Sequence, residues 1–246
     1  SAAENQTSIG TVTATDGDDD SVTFTVSGSE LAITSVGVLT FVSAPDYETK
    51  SFYTATVTAS DGSNTTTQNI TVNVTNLNDN SPVFTSDATF SAAENQTSIG
   101  TVTATDGDAS DIVIFSVSGS ELLISPAGVL TFASAPDYET KSSYTATVTA
   151  SDGTNTTTQD ITVNILDASD SAPVFTSSAG FSAAENQTSI GTITTTDPDN
   201  DTVTYSLSGT DASSISIDSS SGVLTFNSAP DYETKNSYPA VITVSD

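Results

Sequence analysis

Short runs of alternating apolar and polar residues cover this chain from end to end. Val22, Phe24 and Val26 are separated by threonines, as are Tyr53, Ala55, Val57 and Ala59, and Ile70, Val72 and Val74 follow the same rule. A period of two places every second side chain on one face, the pattern of a strand with one buried side. Gly28, Gly37 and Asp61-Gly62 interrupt these runs where turns are needed. Between residues 83 and 165 the pattern predicts seven strands, at Val83–Phe90, Ile99–Thr105, Ile112–Ser118, Leu122–Ile124, Val129–Phe132, Tyr144–Ala150 and Thr157–Ile165. No stretch reads as a helix of useful length. Seven short strands in about 90–100 residues indicate an antiparallel Greek-key sandwich.

The pattern repeats. Ser1-Ala2-Ala3-Glu4-Asn5-Gln6-Thr7-Ser8-Ile9-Gly10 returns at Ser91 and again at Ser182, and Asp46-Tyr47-Glu48-Thr49-Lys50 returns at Asp137 and Asp231. Ala59-Ser60-Asp61-Gly62 returns at Ala150, and its start appears once more at Val244-Ser245-Asp246. A unit near 91 residues is the size of an independent small domain, too long for a solenoid coil. The expected organisation is therefore all-β, with tandem seven-stranded sandwiches placed end to end at 1–78, 79–169 and 170–246. By this count the first unit lacks its first strand, the middle one is complete and the last lacks its last strand, as in a slice of a longer array.

Composition then narrows the chemistry. There are 31 acidic residues against three lysines and arginines, for a formal net charge of -28. Nucleic acid and anionic membrane surfaces, which require a basic face, are excluded as partners. Cysteine and histidine are absent, so neither a disulfide frame nor a thiolate or imidazole metal site can form. No apolar run approaches a membrane span, and direct insertion by this segment is not expected.

The acids are not scattered. Asn76-Leu77-Asn78-Asp79-Asn80-Ser81-Pro82-Val83-Phe84 lies between two strand-rich units and is rich in oxygen donors; Leu166 to Phe175 repeats it in outline. Pro82 keeps Ser81 extended. Carboxylates about 4 Å apart repel by several kcal/mol at an effective dielectric near 20, and a hard cation such as calcium relieves this with oxygen ligands. Isolated acids are commonly solvated turn formers. Acids recurring at the same places in every unit, beside an oxygen-rich linker, favour a metal.

Glu4-Asn5, Asp46-x-Glu48, Asn78-Asp79-Asn80-x-Pro82, Asp106-x-Asp108 and Ala150-x-Asp152 together resemble the cadherin repeat, with five motifs in order and a likeness running through all three units. The array is similar to prokaryotic-style cadherin domains, with Asp-Tyr-Glu-Thr-Lys in place of the animal Leu-Asp-Arg-Glu. The resemblance implies a calcium cluster at each junction. At the first, the matching positions are Glu4, Asp46 and Glu48, then Asn76, Asn78, Asp79 and Asn80 of the linker, then Asp106, Asp108 and Asp152. At the second they are Glu94, Asp137 and Glu139, then Asp167, Ser169, Asp170 and Ser171, then Asp197, Asp199 and Asp246. Asp16, Asp18 and Asp61, and likewise Glu185, Asp231 and Glu233, belong to junctions with units outside this sequence. Asn76 stands where the family has an acid, and Ser169 and Ser171 where it has asparagines, so two to three ions per junction are implied.

The implied function is a calcium-rigidified structural or adhesive array, extracellular or on a cell surface. Its partners would be like domains in the same or a neighbouring chain. The alternative is a calcium-dependent carbohydrate-binding or homophilic recognition module, with cell-surface glycans as ligands; most of the seven tyrosines occupy strand or Asp-Tyr-Glu positions, which leaves few for stacking on sugar. An enzyme is not expected, because no nucleophile-base constellation exists and the paired acids occur in every unit without a cleft. Asp16-x-Asp18-x-Asp20 lacks the glycine and closing glutamate of an EF-hand loop. Lys50, Lys141 and Lys235 recur identically and read as surface lysines at loop ends. Asn5, Asn64, Asn69, Asn73, Asn95, Asn155, Asn186 and Asn200 head Asn-x-Thr sequons, which matter only in a glycosylating host.

Overall fold

The computed structural model describes residues 1–108 and 110–246, and these form strands joined by turns, with one three-residue 3-10 turn at Ala212–Ser214. The chain divides into two compact units. One comprises Ser1–Phe90, Ile99–Ala133 and Thr145–Thr162; the other comprises Ser91–Ser98, Ser134–Tyr144 and Val163–Asp246.

In the first unit, Thr23–Val26, Phe52–Ser60 and Thr65–Thr75 form an antiparallel sheet, and Ala2–Ala3 adds to Thr65–Thr75 in parallel, with Ala2 opposite Val74. Ser8–Thr11, Val38–Phe41 and Leu31–Ile33 make a second sheet. Ala2, Val72 and Val74 from one sheet pack with Leu31, Leu39 and Phe41 from the other. These are the inward positions of the period-two pattern, so the core is the space between two sheets. The strand pair Ile114–Val117 and Ser143–Ser151 repeats the register of Thr23–Val26 and Phe52–Ser60, Phe115 facing Ala150 as Phe24 faces Ala59. Leu130, Val148 and Ile161 are fully buried there, each contributing roughly 1.5–3 kcal/mol.

Two of the predicted strands are broken. The expected Val83–Phe90 is two pieces, Val83–Phe84 and Thr89–Ala93, and the expected Ile99–Thr105 is Ser98–Thr101 and Ala104–Thr105. The first pieces change partners along the way. Val83–Phe84 pairs with Ala104–Thr105, whereas Thr162 N–H donates to the Ala88 carbonyl at 2.9 Å on the opposite sheet. The chain crosses between sheets at residues 85–88. The second break follows from Val102, whose carbonyl lies 2.1 Å from where a Cβ on Gly128 would stand. Gly128 has φ +86, and Gly37 makes the same approach to Val12; only glycine allows it.

In the second unit, Thr204–Ser208 pairs with Val241–Ser245 in a sheet of two strands, and Ser189–Thr192, Val223–Phe226 and Ile215–Ile217 form a sheet of three. Ile193, Tyr205 and Leu224 are its buried centre. Ala183 and Glu185 are exposed, although their counterparts Ala2, Ala92, Glu4 and Glu94 are buried. A cleft of about 610 Å³ opens beside them, lined by Phe181, Ile190, Leu207, Leu224, Phe226 and Ile242. No strand equivalent to Thr65–Thr75 covers it among the described residues.

Candidate metal centre

Each repeated acid is set by a local turn. In Asp46-Tyr47-Glu48-Thr49-Lys50 the Lys50 N–H donates to the Asp46 carbonyl at 2.9 Å, and the Asp46 carboxylate accepts from the Thr49 N–H at 3.1 Å and its hydroxyl at 3.0 Å. Those two donors hold the Asp46 carboxyl below its ordinary range. Asp137 accepts the Thr140 N–H and hydroxyl at 3.0 Å each, the same pair of bonds. The turn directs Glu48, and at its second occurrence Glu139, away from the core.

Glu4 and Glu94 are the anchors. Asn5 has φ 62 and donates its N–H to the Pro45 carbonyl at 3.0 Å, a left-handed turn that asparagine tolerates. Glu4 is 2% exposed, and its two oxygens accept the Tyr47 N–H and the Leu77 N–H at 2.7 Å each. One buried carboxylate thus ties the strand end, the Asp-Tyr-Glu turn and the linker together. Glu94 repeats this with Tyr138 at 2.8 Å and Ala168 at 2.7 Å.

Asp108 and Asp199 fix the linkers from the other side. Asp108 Oδ2 accepts the N–H groups of Asp79 and Asn80 at 3.1 and 2.9 Å; Asp199 Oδ2 accepts those of Asp170 and Ser171 at 2.9 and 2.8 Å. The Ser171 and Asp170 N–H groups hold the Asp199 carboxyl low, against the burial that raises it. Gly107 has a packing role here, since a Cβ on it would stand 2.9 Å from Asn80 Cγ. At the corresponding places of the second linker stand Ser171 and Pro198, a shorter side chain opposite a bulkier one.

These turns gather the predicted acids into clusters. Glu4, Asp46 and Glu48 place one carboxylate oxygen each within 4.8 Å of one another, and so do Glu48, Asp79 and Asp108. In the second unit the groups are Glu94, Glu139 and Asp167, then Glu139, Asp170 and Asp199, and Glu185, Asp231 and Glu233. Glu48 and Glu139 each belong to two groups. Asp106 and Asp197 lie beside them, each accepting the N–H two residues on, that of Asp108 at 2.9 Å and of Asp199 at 3.0 Å. Asn78 is drawn in through the Asn155 amide at 2.7 Å. Ser169 is exposed, as is Asp246 after the strand Val241–Ser245.

The electrostatics are unbalanced. Asn76 Oδ1, Asp106 Oδ2, Asp197 Oδ2 and Asp199 Oδ1 are buried without a hydrogen-bond partner, a condition costing about 1–3 kcal/mol for each neutral group. Glu139 is pushed up to about 7, first by loss of hydration and then by the Glu94 and Asp199 charges. Glu48 is raised for the same reasons, with Glu4 and Asp108 as its charged neighbours. The basic side chains are engaged elsewhere: Lys50 pairs with Glu30 at 2.6 Å over the Tyr53 ring, Lys235 pairs with Asp211 over Tyr238, and Lys141 lies over Tyr144. Orphaned oxygens, repelling acids and no thiol or imidazole have the chemistry of a site for a hard divalent cation.

Two residues near the first cluster escaped the sequence reading. Asp111 has its carboxyl raised by lost hydration and by Asp108, Asp106 and Asp152. Asn155 touches both the linker and Asp152. The signal for Asn155 was its recurrence, since Ser60-Asp61-Gly62-x-Asn64 returns as Ser151-Asp152-Gly153-x-Asn155.

Residues 180–246 match the cadherin domain model. Human cadherin EGF LAG seven-pass G-type receptor 2 is 32% identical over 223 residues, covering 82% of this chain. Cadherin-23 of Rattus norvegicus is 34% identical over 240 residues and covers 85%. The chain belongs to the cadherin family. Solved cadherin structures agree: mouse cadherin-23 EC22-24 has a TM-score of 0.74 at 27% identity, covering 94% of this chain and 85% of that one. The protocadherin gammaB4 extracellular domain gives 0.75 at 26% identity, covering 98% of this chain and 44% of that one. The cadherin relatives are far longer, and this chain spans 8% and 7% of the two sequences named. No helix among the described residues is long and apolar enough to cross a membrane.

Proposed function

We propose that this chain is a calcium-stiffened segment of an extracellular structural and adhesive cadherin array, with repeats at 1–78, 79–169 and 170–246. The observation that carries this reading is the set of buried, partnerless oxygens of Asn76, Asp106, Asp197 and Asp199 beside clusters of like charge. At the first junction Glu4, Asp46, Glu48, Asn76, Asn78, Asp79, Asn80, Asp106, Asp108 and Asp152 would hold two to three ions. At the second, Glu94, Asp137, Glu139, Asp167, Ser169, Asp170, Asp197, Asp199 and Asp246 would do so, with Ser171 beside them. The prokaryotic-style assignment rests on Asp-Tyr-Glu-Thr-Lys alone.

The bound ion supplies positive charge that joins carboxylates otherwise held apart. The chain's own part is orientation: Glu4 and Glu94 fix the linker through backbone N–H groups, and Asp108 and Asp199 fix it from the next repeat. Because ligands come from two repeats and the linker, the free energy of binding opposes bending at the junction. Like domains in the same or neighbouring chains are the partners this arrangement suits. Calorimetric titration is expected to show four to six ions per chain with dissociation constants of roughly 0.1–1 mM. Small-angle scattering should show the largest dimension broadening when a chelator is added. An unchanged scattering profile would remove the stiffening mechanism, and no heat of binding would remove calcium.

A further inference from the structure

At the first junction four oxygens converge on one nitrogen. Asn155 Nδ2 donates to Asn78 Oδ1 at 2.7 Å and to the Asn80 carbonyl at 2.8 Å, with Asp152 Oδ2 at 3.2 Å and the Asn78 carbonyl at 3.4 Å. A carboxamide nitrogen carries two hydrogens, so acceptors outnumber donors two to one. Its orientation is fixed chemically, because backbone carbonyls and a carboxylate only accept and the nitrogen end must face them. Asn64 shows what the same loop does by itself. It donates to Asp61 Oδ2 at 2.9 Å, and Asp61 Oδ1 accepts the Ser63 and Asn64 N–H groups at 2.6 Å. The Asn155–Asp152 contact thus belongs to the Ser-Asp-Gly-x-Asn loop, whereas the three linker oxygens are gathered in addition.

Such a collection of a carboxylate, a side-chain amide oxygen and two backbone carbonyls is the ligand chemistry calcium takes, at six to eight oxygens. Asp106 Oδ2 and Asn76 Oδ1, from the same set of predicted ligands, are buried and without partners. We propose that the Asn155 carboxamide is an internal competitor for the calcium ion that uses Asn78, Asn80 and Asp152, holding that position in the metal-free chain and setting how much calcium is needed to displace it. The inference rests on the calcium reading above. Entry of the ion requires the nitrogen to leave, so this ion binds more weakly than its oxygens alone dictate. In return the amide keeps linker and loop together at low calcium.

The test is calcium titration of the full chain by calorimetry, with Asn155→Ala and Asn155→Ser, alongside hydrogen exchange at residues 78–80 in chelator. Both variants retain the residue-155 backbone N–H that Asp152 Oδ1 accepts at 2.6 Å, so the loop keeps its turn; serine also preserves a turn-forming residue. The weakest ion at the first junction is expected to bind about two- to tenfold more tightly in both variants, the net worth of the displaced hydrogen bonds. In chelator, exchange at 78–80 should accelerate by a similar factor. Weaker binding in the variants would overturn the inference, because it would make the Asn155 oxygen a ligand. Unchanged affinity would overturn it as well, leaving Asn155 a latch without influence on the ion. If the unsubstituted chain takes up no calcium, the underlying calcium reading fails, an outcome distinct from either.

Discussion

Replacing Glu94 with alanine is expected to cost about 3–5 kcal/mol of stability, in chelator as well as in calcium. The side chain is 5% exposed, and both of its oxygens accept short bonds from backbone N–H groups, those of Tyr138 and Ala168. Hydrogen bonds to a charged acceptor contribute about 1.5–3 kcal/mol each, and their loss leaves two donors to be rehydrated. Glu4 has the same place in the first repeat and the same expected cost. Glu185 is the internal comparison: it is exposed and accepts one bond, from Tyr232 at 3.0 Å, so Glu185→Ala should lose far less. Urea denaturation of the variants in EDTA measures the difference. A Glu94→Ala loss that appears only with calcium would mean the residue acts as a ligand and does not anchor the linker beforehand.

That separation between anchor and ligand marks what was legible in the residues alone. The Glu-Asn and Asp-Tyr-Glu motifs located the acids, since a motif repeated in each unit carries its spacing with it. They did not reveal that Glu4 and Glu94 also accept backbone N–H groups of the turn and the linker while Glu48 and Glu139 stand between two clusters. That distinction depends on where the linker N–H groups fall. The strands were readable wherever β-branched and aromatic residues alternate, as at Phe52–Ser60. They were misjudged between Phe84 and Thr89, where Thr85, Ser86 and Asp87 are equally at home in a strand or a crossing, and the choice is made by the partners available. Asn155 was visible as a sequon and in the recurring Ser-Asp-Gly-x-Asn loop, but its meaning requires the linker to be laid against that loop.

The last expectation concerns pH, and its sign follows from Glu139. In the metal-free chain this carboxyl is raised from 4.5 to about 7, so the folded state holds a proton more tightly than the unfolded one between those values. Stability of the metal-free chain therefore rises as the pH falls from 7 toward 4.5. On the calcium reading proposed above the direction reverses, because the ligands must be deprotonated and an ion bound through Glu139 would displace that proton. Between pH 8 and pH 6 the ionised fraction drops about tenfold for a group with this pKa, and the affinity of the second junction should drop by about the same factor. Titrations at the two pH values measure it, with Glu139→Gln as the control. That variant should bind calcium less tightly at the second junction at pH 8 yet show almost no difference there between pH 8 and pH 6, and its metal-free form should gain stability at pH 8, where it removes a charge that Glu94 and Asp199 oppose. A pH dependence that survives the substitution would assign the proton to another acid in the cluster. Glu48, raised in the same direction by Glu4 and Asp108, should make the first junction respond with the same sign.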